Sequence, residues 1–163
     1  MKFNSQICTS KSQSERLLAL GLKKNTADCY YYAQQRWTGN SYENTGELFL
    51  SPLWDINDKG HFQYLNEVFA DEIGEKDTPY VLPAWSLHRL LEMIPITVPD
   101  KSGITHSFTI NGASDISYYF FGEEDWEVWK NWSKKELYDN VIDCIEWLIK
   151  EGHFNKEYLE KQV

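Results

Sequence analysis

The sequence predicts an α+β fold, with an antiparallel β-meander and hairpins packed against about three α-helices, and three observations carry that reading. Three amphipathic segments open on serine caps and close on glycine or proline. The stretches between them are rich in aromatic and β-branched residues and broken by turn dipeptides, the pattern of strands. The two kinds of segment do not alternate regularly, which argues against βαβ units and a parallel sheet.

The first helix is expected over residues 12–20. Ser12 with Glu15 reads as a capping box, Leu17, Leu18 and Leu20 form an apolar patch, and Gly21 supplies a left-handed stop. A polar connection, Leu22 to Asp28, then leads into Cys29-Tyr30-Tyr31-Tyr32, which reads as a strand. The second helix opens at Ser86, with Leu87, Leu90, Leu91 and Ile94 at i, i+3, i+4 and i+7. Trp85 and Leu90 occupy the positions of a hydrophobic staple, and Pro95 ends the helix. The third is expected from Ser133, boxed by Glu136 and stapled by Trp132 and Leu137, to Glu151, with Gly152 as the stop. Its apolar arc holds Leu137, Tyr138, Val141, Ile142, Cys144, Ile145, Leu148 and Ile149. Trp147 falls outside it, among Asp139, Asn140, Asp143, Glu146, Lys150 and Glu151.

Strands are expected at 47–56 and 61–65, flanking a turn at Asn57-Asp58-Lys59-Gly60, and then at 104–110, 116–121 and 126–132 as a meander. Asn111-Gly112 and the acidic stretch Gly122–Asp125 are its turns. Strand alternation places Trp126 and Trp132 on one face and Trp129 on the other, so that the meander absorbs Trp126. Residues 67–77 carry no clear element, and a short extra helix is expected after Gly152.

At 163 residues with 42% hydrophobic and 25% charged content, the chain is sized and composed for one globular domain, residues 1–163. Its 7 Trp, 10 Tyr and 8 Phe are enough for a substantial core with aromatics left over for a partner. No apolar stretch approaches the roughly 20 residues that span a bilayer, and the N-terminus shows no apolar signal segment. Cys8, Cys29 and Cys144 are odd in number and widely spaced, a pattern read as reduced thiols in a cytoplasmic protein.

Charge is uneven. Residues 1–39 carry six basic and two acidic residues, net +4, whereas residues 40–80 carry two and nine, net −7. Residues 81–113 balance, and 114–163 carry six and twelve, net −6, within a whole-chain charge of −9. Such a surface is repelled by phosphate backbones, so direct nucleic-acid binding is not expected outside the basic N-terminal segment.

No motif carries chemistry. Asp55–Gly60 suggests a calcium loop, but Lys59 and Asn66 stand where oxygen ligands belong, and the turn reading wins. His61, His88, His106 and His153 show no metal-ligand spacing. Ser86 lies two residues from His88 but is explained as a cap. The runs Asp71-Glu72, Glu75, Asp77 and Glu123-Glu124-Asp125, Glu127 read as solvated loops. No catalytic residue, cofactor site or metal site is therefore assigned.

Three segments together carry a resemblance: Leu17 to Asp28 (LLALGLKKNTAD), Pro83 to Pro95 (PAWSLHRLLEMIP) and the helix Glu136–Gly152. This arrangement resembles a group of small uncharacterised proteins from Bacteroides-type bacteria and their phages and mobile elements. The resemblance implies a bacterial cytoplasmic setting and a mobile-element origin, and brings no activity with it.

The function expected is that of a small cytoplasmic binding or accessory protein acting through protein–protein contacts, a homodimer among them, with Trp147 and Trp129 as candidate interface residues. The alternatives are an acidic nucleic-acid mimic that inhibits a basic enzyme, and an enzyme with an unrecognised site.

Overall fold

The computed structural model describes residues 6–39, 42–52, 81–112, 114–122, 125–133 and 135–160. The fold is α+β, with helices packed on antiparallel sheets. The chain divides into two compact units between Arg89 and Leu90.

In the first unit, α1 (Lys11–Ala19) opens on Ser10, whose side chain accepts from the Gln13 backbone while Gln13 reaches back to the Ser10 amide. The capping box therefore forms two residues earlier than Ser12–Glu15. Ser10 precedes a Gln that can reciprocate, and Glu15 instead lies near Lys11 at 3.9 Å. The other end is as expected. Gly21 sits at φ 89°, its N–H donates to Leu18, and Leu22 donates to Leu17. Leu17 and Leu22 are both buried, the apolar contact positions of a Schellman stop.

Strands β1 (Cys29–Trp37), β2 (Tyr42–Pro52) and β3 (Val81–Ala84) form an antiparallel sheet in the order β2-β1-β3. The expected tyrosine strand is the start of β1. The four-residue β3 carries Pro83 and takes an outer position, where a missing N–H is tolerated. The expected turn at 57–60, the strand at 61–65, residues 67–77 and the end of the 47–56 strand lie outside the described residues.

One expectation is overturned here. Cys8 and Cys29 are joined in a disulfide rather than held as free thiols, and only Cys144 is a free cysteine among the described residues. Their separation of 21 positions hid a spatial closeness made by other bonds. Cys8 bridges to Ser86, and Cys29 pairs with Ala84, so both cysteines converge on the segment 84–86.

In the chain order, α2 (Leu87–Met93) follows, capped as expected by the Ser86 hydroxyl, which accepts from the Arg89 amide at 3.1 Å. The second unit then runs β4 (Thr97–Pro99), β5 (Thr105–Asn111), β6 (Asp115–Phe121), β7 (Trp126–Trp132) and α3 (Leu137–Glu151). Its sheet is an antiparallel meander in the order β4-β5-β6-β7, with α3 packed against β6 and β7. A three-residue 3-10 turn, Lys156–Tyr158, is the expected extra helix after Gly152.

The third helix starts later than expected. Its cap is Glu136, without a side-chain cap bond, and Ser133 is not part of it. The cause is Asn140, placed by the sequence on the solvent face but 1% exposed. Its amide donates to the carbonyls of Ser114 and Lys135, at 3.0 and 2.9 Å, and so holds residue 135 outside the helix. The core of this unit combines Val98, Ile116 and Tyr118 with Tyr138, Val141, Ile142, Cys144, Ile145 and Leu148. Each fully buried aliphatic side chain is worth about 1.5–3 kcal/mol relative to exposure.

Candidate functional site

Two of the three segments that carry the sequence resemblance, those at 17–28 and 83–95, meet in the first unit through Thr26, Asp28, Trp85, Ser86 and Arg89. Trp85 Nε1 donates to Thr26 Oγ1 at 3.0 Å, and Arg89 Nε donates to the Thr26 carbonyl at 2.8 Å. Asp28 accepts from the Ser86 amide at 2.7 Å and also from the Ser86 hydroxyl. Thr9 completes the knot: its amide donates to the Trp85 carbonyl, its hydroxyl accepts from the Trp85 amide, and its carbonyl accepts from Tyr31. Burial pushes the Tyr31 phenol pKa up. These residues bind one another, and Ser86 is committed on both sides as a cap and as a donor to Asp28. Cys144 is likewise a poor nucleophile, since burial raises its thiol pKa far above the ordinary range. Among the described residues no group of three or more His, Cys, Asp or Glu could hold a metal ion.

The second unit gathers the tryptophans differently from what strand alternation predicts. Tyr118 pairs with Lys130 and Tyr119 with Val128, so Trp129 is an extra residue in β7, a β-bulge. The bulge reverses the expected assignment. Trp129 and Trp132 both reach Trp147 on α3, with ring centroids 5.3 and 5.5 Å away, while Trp126 is left on the opposite face. Trp147 also contacts Tyr118 and His153, and Lys130 lies 5.7 Å over its ring. Trp147 and Trp129 are thus partly buried and packed on each other.

His106 stacks on Trp129 at 4.4 Å and meets Phe120 edge-on. Its Nε2 faces Asp100 Oδ2 at 3.1 Å, and its buried Nδ1 has no hydrogen-bond partner. Asp100 also accepts from the Ser102 hydroxyl and from the amides of Ser102 and Ile104. Those bonds, led by the Ser102 hydroxyl and His106, hold its carboxyl well below the usual range. On the same side Tyr118 donates to the Pro95 carbonyl at 2.6 Å, and burial pushes its phenol pKa up.

The face of the sheet turned away from α3 is different. There Trp126, 56% exposed, is held by Tyr119 and Phe121 at 4.5 and 4.7 Å, and Val128 stands beside it. Phe121 is 59% and Val128 61% exposed. A cleft of about 330 Å³ opens on this face, lined by Thr109, Asn111, Ser117, Tyr119, Trp126 and Val128. The expectation that the meander absorbs Trp126 is overturned, because the extra bulge residue interrupts the even spacing of Trp126 and Trp132 and so puts the two on opposite faces. The acidic run at 71–77 lies outside the described residues, while Asp125 and Glu127 are exposed, Glu127 on the opposite side of β7 from Trp126 and Val128.

No family model matches the chain, and comparison with curated proteins and with solved structures found no significant match. No helix among the described residues is long and apolar enough to cross a membrane.

Proposed function

We propose that this is a small accessory protein of bacterial or phage origin that works by binding a partner, with the open face of the β4–β7 meander as its contact surface. The observation that supports this reading is the trio Phe121, Trp126 and Val128, all more than half exposed, on one side of one sheet. Tryptophan anchors of this kind carry a large share of the energy of protein contacts. Clustered exposed apolar residues on a soluble surface mark interaction sites. Trp147 and Trp129 contribute by supporting β7 from behind. Self-association through the same face is a version of the proposal.

Affinity capture from the native cells tests it, using the wild-type protein and Trp126→Ala as baits. The partner is retained by the first and lost by the second. Equal retention by both baits removes the open face from the account. Sedimentation of the same two proteins across a concentration series reports self-association. A cytoplasmic setting, as the sequence suggests, sits against the Cys8–Cys29 pair, because disulfides persist in oxidising compartments. Thiol counting on protein taken directly from its source settles which holds.

A further inference from the structure

We infer that the cleft on the open sheet face is a binding site for a neutral pyranose sugar unit, an inference that rests on the reading of that face as the contact surface. Its surface is mostly apolar, from Tyr119, Trp126 and Val128, with polar groups from Thr109, Asn111 and Ser117, and none of the six residues is charged. All belong to one face by register: Thr109 pairs with Ser117, and Tyr119 pairs with Val128. The only side-chain hydrogen bond between lining residues joins Asn111 Nδ2 to Ser117 Oγ at 3.3 Å, among the described residues. The Asn111 carbonyl oxygen, the Thr109 and Tyr119 hydroxyls and the Trp126 indole N–H make no side-chain hydrogen bond to one another, and so are open to bonds with ligand or solvent.

This set matches a sugar ring on two counts. A pyranose offers an apolar C–H face that packs on an aromatic ring, here Trp126 or Tyr119. Around its edge it offers hydroxyls that both donate and accept, as the lining requires. The volume, about 330 Å³, lies at the small end of ligand pockets and suits one or two sugar units. Two rival occupants fit less well. An apolar protein side chain would seal off the Asn111 oxygen and the Thr109 hydroxyl, at about 1–3 kcal/mol for each group left without a partner. An anionic ligand would find no cation in the lining, within a chain of net charge −9.

The test is a nitrogen–proton NMR titration of the indole resonances with cellobiose, whose ring hydroxyls are all equatorial, and separately with N-acetyl-leucinamide as an apolar side-chain probe. Cellobiose should move the Trp126 indole signal to saturation at millimolar concentrations and leave Trp147 in place. Asn111→Ala should weaken the effect about tenfold, equivalent to about 1.4 kcal/mol. Both Asn111 and Trp126 are exposed, so Asn111→Ala and Trp126→Ala should keep a folded spectrum. A Trp126 response to N-acetyl-leucinamide and none to cellobiose overturns the sugar assignment while leaving the face as a contact surface. A response to neither overturns the sugar assignment, and equal retention of the partner by the wild-type and Trp126→Ala baits overturns the contact surface with it.

Discussion

Cutting the Cys8–Cys29 bond should destabilise the first unit by an amount that follows from its place in the chain. The bond closes a loop spanning 21 positions that contains α1, so its loss returns loop-closure entropy to the unfolded chain. For a loop of that length the chain-entropy relation gives about 3 kcal/mol. The buried thiols left behind offset little of this, because both cysteines already sit at 2% and 4% exposure and gain no new contact. If the whole chain melts as one, the loss lowers its melting temperature by about 6–12 °C, at about 2–4 °C per kcal/mol for chains of this size. The assay is urea denaturation of the oxidised protein, of the protein under reductant, and of the Cys8→Ala/Cys29→Ala double variant. The variant separates loss of the cross-link from any direct effect of the reductant. Thiol titration of the unfolded, unreduced protein should find one free group, Cys144. Three free thiols, or identical urea midpoints with and without reductant, would refute the reasoning.

Other predictions follow from single residues. Trp129→Ala should cost about 3 kcal/mol by emptying the space between His106 and Trp147, whereas Trp126→Ala should cost about 1 kcal/mol or less; equal losses in urea denaturation would contradict the assignment of faces. Asn140→Leu should cost about 2–3 kcal/mol by leaving the carbonyls of Ser114 and Lys135 without their donor, and a neutral result would show that water replaces it. Gly152→Ala should cost about 1 kcal/mol from backbone strain alone, since φ is 79° and a Cβ there meets nothing within 4 Å; Gly152→Asn should recover part of it. Asp100, whose folded pKa is depressed, contributes stability above the ordinary carboxylate pKa of about 4 and loses it as pH falls toward the folded value. The stability difference between wild type and Asp100→Asn should therefore be constant near neutrality and shrink in acid, and a difference independent of pH would exclude the linkage.

Much of the fold was legible because its signals are local. Gly21, Ser86 and Gly152 mark helix ends by backbone geometry and short-range hydrogen bonds, and the structure places all three as read. The meander strands followed from alternation and the turns between them. What escaped depends on distant partners. The start of α3 is set by Asn140 reaching Ser114, 26 positions away. β3 and β4 are three or four residues long and each holds a proline, too little pattern to stand out. The Cys8–Cys29 pair is made by register with residues 84–86. The face of Trp126 was misread for the same reason, since a bulge is invisible until the partner strand is known.

That bulge changes how β7 can tolerate insertions and deletions. Lys130 and Val128 pair with consecutive residues of β6, so the ladder would stay in register if Trp129 were deleted outright. Removing a neighbour such as Glu127 would instead swap the faces of every residue on its N-terminal side. Trp129 is thus an inserted side chain that serves the buried cluster without constraining the residues before it. A single-residue deletion series through 126–132 would show one position, Trp129, whose loss keeps its neighbours on their faces and costs only the packing of its own ring on His106 and Trp147.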